Sequence, residues 1–303
     1  MRYLEEFRDL LARRAARTGE RTFGFEYELI SSKPVSYEGF RRVKDAVTEA
    51  GFVHRNRQLI DDSGMYITFE PGGQIEFSSP PLRRFDFDLF DMLLDKIDGV
   101  VEFVKAAAGV EYLPKPYIAG RGTAPMLLEA ERYKALHELL GRTGNRGREM
   151  MKGTAAIHFH AALMNTEELL RLWIFMCSLS REEGFRMGPD RRDIWNRTDP
   201  SRCGLTCTAS KNISNSSVLV EQLVSFALRA VDLHTEIPFG ERSPQPDFIS
   251  FLEHFSTIFT DVRLNLKGMT IELRTLDSRP LHLFRETWLT YLDMFQRVMD
   301  DRA

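Results

Sequence analysis

Five short segments carry residue types that could do chemistry, and each alternates apolar and polar positions. Phe23, Phe25, Tyr27 and Leu29 interleave with Gly24, Glu26 and Glu28, and Ile75 and Phe77 with Gln74, Glu76 and Ser78. Ile157, Phe159, Ala161 and Leu163 interleave with Ala156, His158, His160 and Ala162. Val262, Leu264 and Leu266 interleave with Arg263, Asn265 and Lys267, and Ile271, Leu273 and Thr275 with Glu272, Arg274 and Leu276. Successive strand residues point to opposite faces, so each segment is predicted as a strand with one apolar and one polar face. An ordinary half-exposed sheet with a solvated face accounts for charges there. It accounts less well for Glu-x-Glu, Gln-x-Glu, His-x-His and Glu-x-Arg. Four carboxylates on one face repel one another unless cations sit between them. Oxygen-rich sites with an occasional histidine suit Mg²⁺ or Mn²⁺. Arginine and lysine on the adjoining strand, Arg263 and Lys267, suit phosphate. The pattern favours a cup for a metal ion and a phosphorylated ligand.

The elements that would position these residues are legible from hydrophobic period. Helical spacing runs over about 2–17, 38–50, 84–108, 127–141, 166–183, 216–234, 247–258 and 281–301. Strand alternation runs over about 21–30, 65–69, 73–79, 154–164, 262–267 and 270–276. The pairs 65–69 with 73–79 and 262–267 with 270–276 read as hairpins, which predicts an α+β fold with an antiparallel sheet. Gly141 to Lys152 and Arg186 to Ser217 read as loops. Neither a repeat nor a long linker divides the chain, so a single domain over 1–303 is expected.

Composition limits the classes. The 303 residues are 43% hydrophobic and 28% charged, as in an ordinary globular protein, with a net charge of −3 that argues against a general nucleic-acid coat. Only nine of the 41 cations are lysine, which fits either carboxylate and phosphate recognition or genomic base composition. Neither a signal-peptide stretch nor a membrane span is read, and Cys177, Cys203 and Cys207 suggest a reducing compartment, so a cytoplasmic location is expected. Cys203 and Cys207 lack a second ligand pair for zinc. His158-x-His160 lacks a third ligand at a recognisable spacing. No P-loop or dinucleotide fingerprint occurs. Pro71-Gly72-Gly73 is read as a turn rather than a phosphate cradle, and Tyr66, Trp173 and Trp288 as core.

Five segments, in order, resemble the glutamate–cysteine ligase family. Gly24-Phe25-Glu26-Tyr27-Glu28 is similar to its GxExE first strand. Phe69-Glu70-Pro71-Gly72-Gly73-Gln74-Ile75-Glu76-Phe77-Ser78 resembles the EPGGQxELS segment of the plant-type and proteobacterial members. Met150-Met151-Lys152-Gly153-Thr154 resembles MM-x-x-T, and Ile194-Trp195 through Thr198-Asp199, Arg202 and Gly204 resembles IW-x-x-T-D-x-x-R-x-G. Thr270-Ile271-Glu272-Leu273-Arg274 resembles the late E-x-R strand, shared with bacterial carboxylate–amine ligases. The chain departs from the family in three ways. It is shorter, it carries His158-Phe159-His160 where Q-x-N is common, and Asp193 stands where a histidine often precedes IW. The amine acceptor therefore stays open.

The resemblance implies a glutamine-synthetase-like curved antiparallel sheet, with metal–ATP in the concave face and helices outside. It implies that ATP phosphorylates the γ-carboxylate of glutamate and that an amine, foremost L-cysteine, attacks the acyl phosphate to give γ-glutamylcysteine, the glutathione precursor. Phosphoryl transfer between anions needs charge neutralisation and in-line positioning. On the motif match, Glu26, Glu28, Glu70, Glu76, His160 and Glu272 are the expected metal ligands, with Glu70 near a strand end. Arg274 and Arg202 are expected at the transferring phosphoryl group, and Arg132, in a segment resembling an RY motif, at the glutamate or nucleotide. Arg263 and Lys267 are expected to bind cofactor. The partners expected are small molecules, without nucleic acid or membrane, and a homodimer stays open. A guanidino-kinase-type phosphotransferase and a non-catalytic amino-acid or nucleotide-binding protein are the alternatives.

Overall fold

The alternating segments pair into one sheet. The computed structural model describes residues 2–55, 58–204 and 213–300, so Cys207 of the CxxxC pair lies outside the described residues. The strands are β1 (Phe23–Ser31), β2 (Val53–Arg55), β3 (Gln58–Ile60), β4 (Tyr66–Phe69), β5 (Ile75–Ser78), β6 (Tyr112–Leu113), β7 (Ala156–Ala162), β8 (Val262–Asn265) and β9 (Thr270–Asp277). They run in the order β2-β3-β4-β5-β1-β7-β9-β8, with β6 added to the end of β1. Every pairing between them is antiparallel. The hairpins expected from the sequence are β4–β5 and β8–β9.

The helices are α1 (Arg2–Arg14), α2 (Tyr37–Glu49), α3 (Phe87–Ala108), α4 (Glu131–Thr143), α5 (Gly147–Gly153) and α6 (Leu169–Leu179). They continue with α7 (Pro189–Asn196), α8 (Pro200–Cys203), α9 (Ser216–Arg229), α10 (Phe248–Phe255) and α11 (Leu281–Phe295). Helix α3 buries Phe90, Leu93, Leu94, Ile97, Val100 and Val104, a spacing of three and four that makes one apolar stripe. It ends at Gly109, whose φ of 69° is a left-handed cap open to glycine. Among the described residues no helix is long and apolar enough to cross a membrane.

The apolar face of the sheet meets α3 and α11 in an aromatic layer. Phe25 packs edge-on against Phe90 and Phe284 at 5.6 and 5.1 Å, and Phe159 against Trp288 at 5.3 Å. Each such burial is worth roughly 1.5–3 kcal/mol. Trp173 and Trp288 are core residues, as expected.

Several expectations need correction. The stretch Gly141 to Lys152 holds most of α5, and Arg186 to Ser217 holds α7 and α8, both too short and too polar to give a clear helical period. Leu276, placed by strict alternation on the polar face, is fully buried in the core. A bulge is the reason. Ile157 pairs with Leu276, and Phe159 with Leu273, so one extra residue of β9 is accommodated opposite His158. Beyond that point the faces of β9 exchange. Tyr66, read as core, is half-buried on the polar face and lines the cavity described next.

Candidate active site

The polar face is the floor of a cavity of about 890 Å³, lined by residues of β1, β3, β4, β5, β7, β8 and β9. Seven strands reach one cavity, so the sheet curves around it. The strand register sets the cavity's chemistry in rows. Glu26 lies between Ser78 of β5 and His158 of β7, and Glu28 lies beside Glu76, which faces Thr68 of β4. His160 faces Glu272, and Glu272 faces Arg263.

Two histidines bind the carboxylates together. His158 Nδ1 is 2.6 Å from Glu26 Oε2, and its Nε2 is 3.7 Å from Glu28 Oε1. His160 Nδ1 is 3.0 Å from the Thr270 hydroxyl, and its buried Nε2 makes no hydrogen bond but lies 3.4 Å from Glu26 Oε1. Glu28 Oε2 accepts the backbone N–H of Ala156 at 2.7 Å. Glu76 Oε1 accepts from the hydroxyls of Thr68 and Ser78 at 2.8 and 3.2 Å.

Glu272 is fully buried and charge-matched. Its oxygens accept from Arg263 at 2.7, 3.0 and 3.1 Å, from Asn265 at 3.2 Å and from Arg274. Burial opposes its ionisation, yet the two guanidinium groups hold it down at about 2. Burial also opposes the Glu26 carboxylate, and His160 and His158 outweigh it, holding Glu26 well below the usual range. His160 shows the counterpart: burial lowers it, but Glu26 and Glu272 raise it above its ordinary value. Glu70 and Glu76 lack such partners. Burial, then the charge of Glu28, pushes Glu70 up to about 8 against the pull of Arg274. Burial and the charges of Glu26, Glu70 and Glu28 push Glu76 well up.

One ligand atom from each of Glu26, His160 and Glu272 lies within 4.8 Å of the others. Carboxylate oxygens with one imidazole nitrogen fit a hard divalent ion. The buried Nε2 of His160, 3.4 Å from Glu26 Oε1 and without a hydrogen bond, is an atom such an ion would use. Glu28, Glu70 and Glu76 stand across the cup, and their mutual repulsion is what a cation would relieve.

The cavity brings together most of the residues expected from the sequence: Glu26, Glu28, Glu70, Glu76, His160, Arg132, Arg263, Lys267 and Arg274 line it, and Glu272 lies beneath. Glu70 sits one residue beyond β4, in the turn. Arg132 is exposed and donates to the Ser256 carbonyl at 3.1 Å. Arg202 stands apart. It is fully buried off the cavity, paired with Asp199 at 2.8 Å and donating to the Val231 carbonyl. Asp199 in turn caps α8 by accepting from Ser201 N at 2.9 Å. The Arg202–Asp199 pair clasps this segment, and the tryptophan of the same motif, Trp195, reaches the cavity.

The glycine turn is structural, as expected. A Cβ on Gly72 would lie 2.6 Å from the Lys152 carbonyl oxygen, and Gly73 has a φ of 83°. The buried Gln74 amide accepts from Gly72 N at 3.0 Å and donates to the carbonyls of Met151 and Thr154 at 3.2 and 3.0 Å. It stitches the EPGGQ turn to the MM-x-x-T segment, so two motifs 80 residues apart form one wall.

Arg191 is missing from the sequence expectations. It lies on α7, fully buried, and lines the cavity. It donates to the carbonyls of Leu276 at 2.8 Å and Arg274 at 3.3 Å, and pairs with Asp277 at 2.8 Å. These contacts straddle the β9 bulge and hold Arg274 toward the cup. The one hint in the sequence is its place four residues before Trp195, over whose ring it stacks.

The model of glutamate-cysteine ligase family 2 (GCS2) matches residues 22–180, and the chain belongs to that family. The chain is similar to the chloroplastic glutamate–cysteine ligase A of Oryza sativa subsp. japonica, 22% identical over 309 residues, covering 87% of this chain and 59% of that protein. It is similar to the chloroplastic glutamate–cysteine ligase of Nicotiana tabacum, 23% identical over 304 residues, covering 87% of this chain and 56% of the other. The chain thus spans under two thirds of the length of these relatives. A glutamate–cysteine ligase from Francisella tularensis, solved in complex with AMP, superposes with a TM-score of 0.48 at 14% identity, covering 91% of this chain and 67% of that one.

Proposed function

We propose that the cup joins the γ-carboxylate of glutamate to the amine of L-cysteine at the expense of ATP, through an acyl phosphate, giving γ-glutamylcysteine. The observation that carries this reading is the meeting of Glu26, His160 and Glu272 within 4.8 Å in the cavity of a chain from this family. In the same reading Glu26, His160 and Glu272, with Glu28, Glu70 and Glu76 opposite, are the residues that would hold Mg²⁺ or Mn²⁺. A bound divalent ion would supply Lewis acidity and charge neutralisation for the phosphates. The chain's own residues do the rest. His158 ties Glu26 to Glu28 and fixes their spacing. Arg263 holds Glu272 ionised in a fully buried position. Arg274 presents a guanidinium, charged throughout the working range, where negative charge redistributes during transfer. Arg132 lies beside Glu70 at the rim, where a nucleotide or amino acid would enter.

The test is phosphate release from Mg-ATP with L-glutamate, with and without L-cysteine and a panel of other amines. Release that requires both, with an amide product by mass spectrometry, is the expected result and names the acceptor. A phosphorylated amine without free phosphate would replace this reading with a phosphotransferase. ATP binding without release in any mixture would make the chain a binding protein of the family.

A further inference from the structure

The cavity is charge-striped along the strands. Its carboxylates occupy the middle, and its deep cations are already committed: Arg191 to Asp277, and Arg263 and Arg274 to Glu272. Arg14, Arg17, Lys267 and Arg132 line the same cavity without a carboxylate partner among the described residues. These four stand at two ends. Lys267 lies in the β8–β9 turn, at the start of β1, since Phe23 pairs with Ala161 and Ala161 with Ile271. Arg132 lies near Glu70 in the β4–β5 turn, at the far end of β1, where Leu29 pairs with Ile75. Six strand residues separate the two registers, roughly 20 Å.

At the first end, Arg14 at the end of α1 donates to the Lys267 carbonyl at 3.2 Å, and Arg17 to the Gly268 carbonyl at 2.6 Å. Each arginine spends one nitrogen on the turn and keeps its other donors. The Lys267 ammonium stands exposed beside them. Three unpaired cations at the mouth of a carboxylate-lined cup attract an anion, and the cup behind them repels one. Arg14 and Arg17 precede the residues that the family model matches.

We propose that Arg14, Arg17 and Lys267 form an anion-binding site at this mouth, holding the phosphate or carboxylate end of a reactant whose other end reaches the carboxylate row. The site deepens the ligase reading and rests on it for the reactants' identity. The experiment is calorimetric titration of the full chain with Mg-ATP and, separately, with L-glutamate, in wild type and in Arg14→Gln/Arg17→Gln/Lys267→Gln. Glutamine removes the charge and keeps a polar amide on a shorter side chain. One probe should weaken about tenfold or more while the other stays within about twofold. Loss confined to Mg-ATP assigns the site to phosphate, and loss confined to glutamate assigns it to a carboxylate. Lys267→Gln alone, which touches no turn contact, should weaken the same probe in part. Unchanged affinities, no binding of either probe to wild type, or equal weakening of both with a lowered unfolding midpoint would overturn the proposal. A wild-type chain that binds through these residues yet releases no phosphate would sink the ligase reading and leave the anion site standing.

Discussion

Glu272 and Arg274 stand two residues apart on β9, Glu272 buried beneath the cavity and Arg274 lining it, joined by a hydrogen bond from the Arg274 guanidinium. Arg263 completes the pair from β8. Removing the Glu272 charge leaves two cations poorly compensated in a buried setting. Glu272→Gln is therefore expected to cost about 3 kcal/mol or more of stability as well as turnover. Glu76→Gln should differ. Its Oε1 accepts only hydroxyl hydrogen bonds, which an amide oxygen also accepts. It should lose about 10²-fold or more in turnover with a stability change under about 1 kcal/mol. Denaturant unfolding with steady-state rates checks both, and full activity in both variants would refute the site.

A divalent ion should stabilise the chain measurably. At a hundredfold excess over its dissociation constant, an ion bound only by the folded state adds about 2.7 kcal/mol. Mn²⁺ or Mg²⁺ should raise the thermal midpoint by a few degrees, a chelator should reverse the rise, and Glu26→Gln should abolish it. An equal rise in Glu26→Gln would place the ion elsewhere.

Arg191 serves as a positioning residue, acting through Arg274. Arg191→Met leaves Asp277 and two carbonyls without their donor and should cost about 3–5 kcal/mol. Arg191→Lys keeps a charge for Asp277 but cannot span the carbonyls of Leu276 and Arg274 as a planar fork does. The lysine variant should fold, with kcat lowered about tenfold and KM changed less. Wild-type kcat in Arg191→Lys would show that the bulge holds Arg274 unaided.

His254, outside the cavity lining, gives a separate pH signature. Its Nε2–H donates to the Ala227 carbonyl at 2.8 Å and its ring stacks on Phe239. Burial lowers it from 6.5 to about 4, the Ala227 bond and Asp232 opposing, Arg202 and Arg242 assisting. The unfolded chain thus takes up the proton first. Stability from this group is complete above about 6.5 and is lost as the pH falls toward 4, by about 3 kcal/mol. Urea unfolding between pH 7 and 4 should show this loss, and His254→Phe should flatten it.

The period-two alternation of Glu-x-Glu, His-x-His and Glu-x-Arg determined that these residues share a face, because strand geometry permits little else. The hairpin pairs and their segment order likewise determined an antiparallel sheet, and the motifs placed the chain beside its family. Registry between distant strands was decided only in three dimensions. Nothing local sets His158 opposite Glu26 rather than Glu28, or puts an extra residue of β9 across from His158. That bulge sent Leu276 to the core, and Arg191, 85 residues away, fastens it. Arg202 shows the same limit from the other side. Its motif resemblance suggested contact with phosphate, and the fold buries its guanidinium against Asp199, off the cavity lining. Alternation gives the direction in which a strand residue points only where the strand runs without a bulge. Which charges then neutralise one another depends on the closing of the sheet and the helices that cover it.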